Sequence, residues 1–171
     1  SAFVLSILLT LHVGTARAQW DTLALPFSTL TIDQGLSQGL VNAIVQDKYG
    51  FLWFATKDGL DRYDGYTFTA FRHDPEDSTS ISENTVRTLY IDREERMWVG
   101  TSQGVDLFDP TTEQFMHLPI EHPGSPWGEV SCIVKDGNGD LWASSTWAMV
   151  KVTFTGPVEL GKPWPSLELK W

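Results

Sequence analysis

Three histidines are the side chains of this sequence that could most readily support a metal site or acid–base chemistry. His73, His117 and His122 fall in polar stretches between apolar segments. Their spacing matches none of the ligand patterns typical of zinc sites. Histidines on surface loops are common without any such role, and we interpret these three as loop residues.

Two pairs of aspartates recur at a constant spacing, Asp61 with Asp106 and Asp64 with Asp109. Paired carboxylates can act as the acid and the base of a hydrolase. Recurrence in register instead favours hydrogen bonding within turns and at strand ends. A paired-carboxylate hydrolase stays open at this stage, although no single pair stands out.

The run Asp-Gly-Asn-Gly-Asp at 136–140 resembles the start of a calcium-binding loop. Leu141 occupies the place of the loop glycine, and Trp147 occupies the place of the bidentate glutamate. We therefore interpret the run as a hairpin turn. The sequence also lacks a nucleophile elbow, a phosphate-binding loop, a zinc-protease motif and a dinucleotide fingerprint. It predicts no catalytic residue, no cofactor and no metal site, and the ligand-binding residues are unknown.

The elements that must position these side chains are copies of one repeated unit. Leu52–Asp64 and Met97–Asp109 match without a gap, and a third copy begins at Leu141 and then decays. The tryptophans of the three copies lie 45 and 44 residues apart. The residues that we expect to define the repeat structurally are Asp47, Trp53, Thr56, Gly59, Asp92, Trp98, Thr101, Gly104, Asp136 and Trp142.

The first two units each contain four short apolar runs separated by polar or glycine-containing turns, which is typical of strands joined by hairpins. Four strands in roughly 45 residues correspond to one blade of a β-propeller. We predict an all-β fold with about three blades of four antiparallel strands, part of an incomplete propeller for which seven blades is our expectation. The predicted bounds are 41–85 for blade 1, 86–129 for blade 2 and 130–171 for a degenerate blade 3.

The recurring tryptophans are expected to pack against the neighbouring blade and to donate the indole N–H to a backbone carbonyl. Stacking on a sugar ligand is the alternative interpretation.

Cys132 is the single cysteine, which excludes an intrachain disulfide framework. Its place in the first strand of the third unit predicts a small buried side chain.

The N-terminal stretch has the character of an export signal. Ser1–Ala16 carries no charge, and Ala16-Arg17-Ala18 resembles a signal-peptidase site. We predict a signal peptide over 1–18, truncated at its start; an uncleaved membrane anchor or a buried helix would explain the same pattern. Residues 19–40 are predicted to be an N-terminal strand segment, in which Phe27–Ile32 completes the last blade of the ring. Three blades cannot close a ring, so we expect an N-terminal fragment of a larger protein.

The formal charge of −10 limits the partners of this chain. Nucleic acid and anionic membrane surfaces both require clustered Lys and Arg, so neither is expected to bind. An acidic surface is also an ordinary solubility device, and it identifies no partner.

The segments 35–65 and 73–86 resemble the two-component regulator propeller repeat. The resemblance rests on Asp-x-x-Gly-x-Leu-Trp-x-Ala-Thr-x-x-Gly-Leu-x-x-Tyr-Asp-Gly at 47–65, and it covers about Leu25 to Phe154. It implies a periplasmic sensor region, followed by a β-sandwich domain, a transmembrane helix and a cytoplasmic output. The implied output is a histidine kinase, often fused to a response regulator, or a diguanylate cyclase. Members from gut bacteria often sense oligosaccharides.

These observations favour a binding module, the ligand-sensing propeller of a membrane signalling receptor. The expected partners are a small molecule or oligosaccharide ligand, a second receptor subunit in a homodimer, and the remaining blades of the same chain. An exported propeller enzyme of the lyase or quinoprotein type, and a protein–protein interaction scaffold, are the alternatives. Whether the protein is an enzyme stays uncertain, because a kinase or cyclase domain would lie outside these residues.

Overall fold

The computed structural model describes residues 27–119, 128–146 and 148–170. The signal peptide predicted over 1–18, together with His122 and Trp147, lies outside the described residues. No helix among the described residues has both the length and the apolar character needed to cross a membrane.

The described chain is built from β-strands. A single turn of 3₁₀ helix, Ile32–Gln34, comes before the first of them. The strands are β1 (Val41–Gln46), β2 (Leu52–Thr56), β3 (Gly59–Tyr63), β4 (Phe68–Phe71), β5 (Val86–Ile91), β6 (Met97–Thr101), β7 (Val105–Asp109), β8 (Gln114–His117), β9 (Val130–Lys135), β10 (Leu141–Ser145), β11 (Met149–Phe154) and β12 (Leu167–Lys170).

The strands form three four-stranded antiparallel sheets. Sheet 1 has the order β1-β2-β3-β4, sheet 2 the order β5-β6-β7-β8, and sheet 3 the order β9-β10-β11-β12. Sequential antiparallel strands joined by short turns are the arrangement of a propeller blade. The predicted all-β propeller fold is confirmed. The number of blades in a complete ring, for which we expect seven, stays a prediction.

The first strands of the three sheets are neighbours, because β5 contacts both β1 and β9. Each first strand pairs with its second strand through a register shift near its start, at Asn42, Arg87 and Ser131. Such a β-bulge increases local twist and can redirect a side chain. Asn42 Nδ2 donates to Val86 O at 2.7 Å, and Arg87 Nη2 donates to Glu129 Oε2 at 2.7 Å. Two of the three bulged residues thus form a hydrogen bond to the start of the first strand of the next sheet, or to the residue just before it.

Two apolar cores join the sheets. The first lies between sheets 1 and 2, where Trp53 meets Phe108 edge-on with ring centroids 4.9 Å apart. The second lies between sheets 2 and 3, where Trp98 is fully buried near Phe154 and Trp164. Trp53 and Trp98 therefore each pack towards the following sheet.

The third unit forms all four strands despite its weaker repeat. A long connection, residues 155–166, joins β11 to β12 and folds back over sheet 2. Trp164 Nε1 donates to His117 O at 2.8 Å, and Val158 O accepts a hydrogen bond from Arg96 Nη1 at 3.0 Å. These two hydrogen bonds attach the connection to sheet 2.

The strand predicted at Phe27–Ile32 is absent. Residues 27–31 belong to no ladder, and Ile32 begins the 3₁₀ turn. Thr31 and Gln34 form a capping box around that turn, which satisfies its free N–H groups locally. Pairing of this segment with a last blade is not tested, because no such blade is among the described residues.

The prediction that Cys132 is buried is wrong, since its side chain is exposed. Its neighbour Ile133 points into the core between sheets 2 and 3. Alternation along the strand therefore directs Cys132 to the opposite face. That face of sheet 3 also carries Val134, which is exposed, and Trp142, which is half-buried.

Candidate functional site

The recurring aspartates and tryptophans are joined by direct hydrogen bonds. Each indole Nε1 donates to the Oδ2 atom of the aspartate six residues before it. The distances are 2.9 Å for Trp53 and Asp47, 2.9 Å for Trp98 and Asp92, and 3.0 Å for Trp142 and Asp136. The acceptor predicted from the sequence, a backbone carbonyl, is wrong, because the carboxylate at the start of the turn lies closer to the indole.

The other carboxylate oxygen fixes the turn itself. In sheet 1, Asp47 Oδ1 accepts the N–H groups of Tyr49 and Phe51, and the turns at Asp92 and Asp136 repeat both hydrogen bonds. One side chain therefore sets both the turn conformation and the indole orientation. This geometry supplies packing and order, and no reacting group.

Asp92 is the most buried of the three carboxylates, with a side chain that is 0% exposed. Burial opposes its ionisation, but hydrogen bonds from Trp98 and Arg96 and the charges of Arg96 and Lys135 outweigh that effect. The pKa of Asp92 therefore lies below its ordinary value.

The predicted Thr and Gly positions form the turn after the second strand. Thr56 Oγ1 donates to Gly59 O at 2.9 Å and accepts from Asp58 N at 3.0 Å. Thr101 makes the same contacts with Gly104 O and Gln103 N. These residues have structural roles in the described chain.

Asp61 and Asp106 recur on the third strands of sheets 1 and 2. Each carboxylate contacts its own sheet or the segment before it, so the two do not form a catalytic pair. Asp61 accepts two hydrogen bonds from Ser37, at 2.9 and 2.6 Å. Asp106 accepts from Ser82 N at 2.9 Å and contacts His117 Nδ1 at 2.7 Å. Each carboxylate thus anchors the segment that leads into its own sheet. Burial raises the pKa of Asp61, although the Ser37 hydrogen bonds partly offset it.

The other predicted candidates are also accounted for by local contacts. Asp64 Oδ1 accepts from Tyr66 N and Thr67 N, and Asp109 Oδ1 accepts from Thr111 N, as expected for turn residues. His73 Nδ1 lies 2.8 Å from Ile81 O. Within the described part of the chain, no group of three or more His, Cys, Asp or Glu side chains could hold a metal ion.

The aspartate turns lie at one end of each sheet. At that end, a cleft lies between sheets 1 and 2 and another between sheets 2 and 3. The first cleft, between sheets 1 and 2, encloses about 260 Å³ and is lined by three aromatic residues, Tyr49, Phe51 and Trp53, beside Asp47 and Arg62. The Arg62 guanidinium lies over Phe51, Trp53 and Phe71 at 5.4–5.6 Å from the ring centroids. It also pairs with Glu113 at 2.7 Å. The cation–π contacts lie within sheet 1 and stabilise it, and the ion pair with Glu113 reaches sheet 2.

The second cleft, between sheets 2 and 3, is larger and carries charge. Its volume is about 750 Å³, and its walls come from the turns of both sheets and from the loop after β11. Sheet 2 contributes Glu94 and Arg96, and sheet 3 contributes Lys135, Asp140 and Phe154. We take the two clefts together as the candidate functional site.

The sequence analysis missed Glu94, Arg96 and Lys135. The signal was present in the internal alignment, because these three residues occupy the positions of Tyr49, Phe51 and Ile91 in the preceding unit. A comparison that looked for differences between the copies would have found them.

Comparison with known proteins agrees with the fold and the repeat. A family model described as two component regulator propeller matches residues 35–58 and 80–103. The chain is 55% identical over 56 residues to histidine kinase P4 of Formosa agariphila, covering 33% of this chain and 4% of that protein.

Solved structures with the same fold come from the extracellular domain of BT4673 of B. thetaiotaomicron. One, described as a one-component system, gives a TM-score of 0.56 at 27% identity and covers 67% of this chain and 17% of the other. Another, described as a hybrid two-component system, gives 0.58 at 26% identity and covers 73% and 18%. The chain therefore spans less than a fifth of the length of these proteins.

The fold and the repeated turns define a β-propeller repeat protein. Residues 35–58 and 80–103 of the chain match the two component regulator propeller family.

Proposed function

We propose that this chain is part of the extracytoplasmic ligand-sensing propeller of a bacterial membrane receptor of the two-component type. The observation that carries the proposal is the structural similarity to the extracellular domain of a hybrid two-component system at 26% identity. A module on the outer side of a membrane can influence a cytoplasmic output only if its ligand favours one receptor conformation over another.

The described contacts support a binding module rather than an enzyme. Every predicted candidate carboxylate and histidine among the described residues is engaged in a turn, a strand end or a sheet contact. The open surfaces that remain are the clefts between sheets, and pockets of this kind are the usual position for a small ligand. A small molecule or an oligosaccharide is the proposed ligand, and a homodimer is the proposed receptor state.

The experiment is an in-frame deletion of the codons for residues 27–170 from the receptor gene in its own host. Transcription is then measured across a panel of oligosaccharides. In the parent strain we expect at least one oligosaccharide to induce a gene set, and in the deletion strain that induction should disappear. Induction that survives the deletion unchanged would overturn the sensing function.

Location is tested separately with a reporter that is active only outside the cytoplasm. Alkaline phosphatase fused after residue 171 should be active in cells. An inactive phosphatase fusion, beside an active fusion of a cytoplasmic reporter at the same residue, would contradict export.

A further inference from the structure

We propose that the second cleft binds an anionic ligand group, a carboxylate or a sulfate, on the cation pair Arg96 and Lys135, and that Glu94 occupies this position in the unliganded protein. The proposal deepens the sensing function proposed above and rests on it for its biological role.

The two cations are held in place by the buried carboxylate of Asp92. Asp92 lies 2.8 Å from Arg96 Nη2 and 3.3 Å from Lys135 Nζ. Arg96 also donates through Nε to Asp92 and through Nη1 to Val158 O. The Arg96 and Lys135 side chains are only 14% and 11% exposed. Both charges are therefore positioned before any ligand arrives, which reduces the entropic cost of binding.

Glu94 completes this arrangement from the solvent side. Its carboxylate lies 2.7 Å from Arg96 Nη2 and 3.3 Å from Lys135 Nζ. The Glu94 side chain is 59% exposed, in contrast to the fully buried Asp92. An exposed ion pair contributes little to stability, so Glu94 can exchange its contacts for water at small cost. A ligand anion that takes its place would receive the same two donors.

The internal repeat shows that the propeller architecture does not require these charges. The positions of Glu94 and Arg96 are Tyr49 and Phe51 in the first unit. The position of Lys135 in the preceding sheet is Ile91. The first cleft is thus closed by aromatic and aliphatic side chains at the very places where the second carries three charges. Buried charges are costly to maintain, so Arg96 and Lys135 at these repeat positions indicate a role specific to the second cleft.

The surroundings of the pair set the ligand class and limit its affinity. The guanidinium and ammonium groups favour an oxyanion, and Phe154 offers an apolar wall beside them. Asp140 and Glu159 also line the cleft, but each is paired with a lysine, Lys151 and Lys162 respectively. The negative charge of the whole protein opposes anion approach, and salt screens it beyond about 8 Å at physiological ionic strength. A single anionic group should therefore bind weakly.

The test is a chemical-shift titration of the full chain with two probes, sodium sulfate and sodium glucuronate, at constant ionic strength. The key variant is Glu94→Gln, which removes the internal competitor and keeps the shape of the side chain. Glu95→Gln is the matched control, because Glu95 lies in the same turn and forms no ion pair within the described residues. Gain of binding in a folded variant cannot arise from unfolding.

We expect at least one probe to shift the amide signals of residues 94–96 and 135. Glu94→Gln should bind it about 2- to 5-fold more tightly, the competition that an exposed ion pair can exert, and Glu95→Gln should match the parent protein. Sulfate binding alone would assign the site to sulfate esters, and glucuronate binding alone would assign it to carboxylates.

Absence of binding for both probes in Glu94→Gln overturns the proposal. An equal gain in Glu94→Gln and Glu95→Gln also overturns it, because the effect would then come from net charge. Either result leaves the deletion and fusion experiments unaffected, so the anion site and the sensing function can be rejected independently.

Discussion

Trp98 Nε1 lies 2.9 Å from Asp92 Oδ2, and both side chains are buried. The same pair recurs in the sheets before and after it, at Trp53 with Asp47 and at Trp142 with a half-buried Asp136. In sheets 1 and 2, one hydrogen bond thus connects the hairpin turn to the indole that packs on the next sheet. Turn formation and sheet packing are coupled through a single carboxylate.

This coupling predicts that removing the aspartate lowers the free energy of unfolding most where the carboxylate is most buried. Asp92→Ala leaves the Trp98 indole, two turn N–H groups, Arg96 and Lys135 without their shared partner. Breaking a buried ion pair in this way costs about 3–5 kcal/mol. Asp136→Ala exposes its former partners to water and should cost clearly less, because solvent already reaches this carboxylate. Urea denaturation of the two variants and the parent chain measures both values, and equal costs would contradict the coupling.

The sequence could predict which residues recur, but it could not predict the partner of the indole. Asp and Trp are six residues apart, a spacing that says little until β1 pairs with β2. In that register Val45 lies opposite Trp53, and Asp47 then follows at the end of the strand beside the indole. The contact is a product of tertiary pairing, which is why the sequence alone favours a backbone carbonyl as the acceptor.

Gly59 is required by both backbone conformation and space. Its φ is +117°, and a Cβ atom would lie 2.6 Å from the carbonyl oxygen of Phe71. Gly104 has φ +148° at the equivalent place, and no atom lies within 4 Å of the position that a Cβ atom would take. We expect Gly59→Ala to lower the free energy of unfolding by about 2–3 kcal/mol and Gly104→Ala by about 1 kcal/mol. Thermal unfolding of both variants checks the order, and a larger loss in Gly104→Ala would contradict it.

Cys132 shows where an internal alignment misleads. Its counterparts Ala43 and Thr88 lie on faces that another sheet covers, since sheet 2 follows sheet 1 and sheet 3 follows sheet 2. The corresponding face of sheet 3 carries no further sheet among the described residues. Burial at this position depends on the neighbour and not on the residue type.

The exposed thiol should therefore react freely in the folded chain. We expect a disulfide reagent such as Ellman's reagent to label Cys132 fully without denaturant, at a rate close to that of a small free thiol. Cys132→Ser should change the free energy of unfolding by no more than about 0.5 kcal/mol, as for other surface substitutions. Labelling that requires urea would show that this face is covered in solution.

His117 should make the stability of sheet 2 depend on pH. Its Nδ1 lies 2.7 Å from Asp106 Oδ1, and its Nε2 lies 3.0 Å from Ser78 O. A carboxylate and a carbonyl oxygen both accept hydrogen bonds, so both ring nitrogens must carry a proton to satisfy them. The hydrogen bond to Asp106, opposed by burial and aided by the charge of Asp106, raises the pKa of His117 above its ordinary 6.5.

A raised pKa of a cationic group stabilises the folded state under acidic conditions. The contribution of His117 is complete below the unfolded-state pKa of 6.5 and is lost as the pH rises through the higher folded-state pKa. The difference in unfolding free energy between the parent chain and His117→Gln should therefore be largest near pH 5.5 and shrink towards pH 9. Other titrating groups are common to both chains and cancel in the difference. A difference that stays constant or grows with pH would show that His117 is neutral in the folded chain, and a ¹⁵N titration of the imidazole would then place its pKa at or below 6.5.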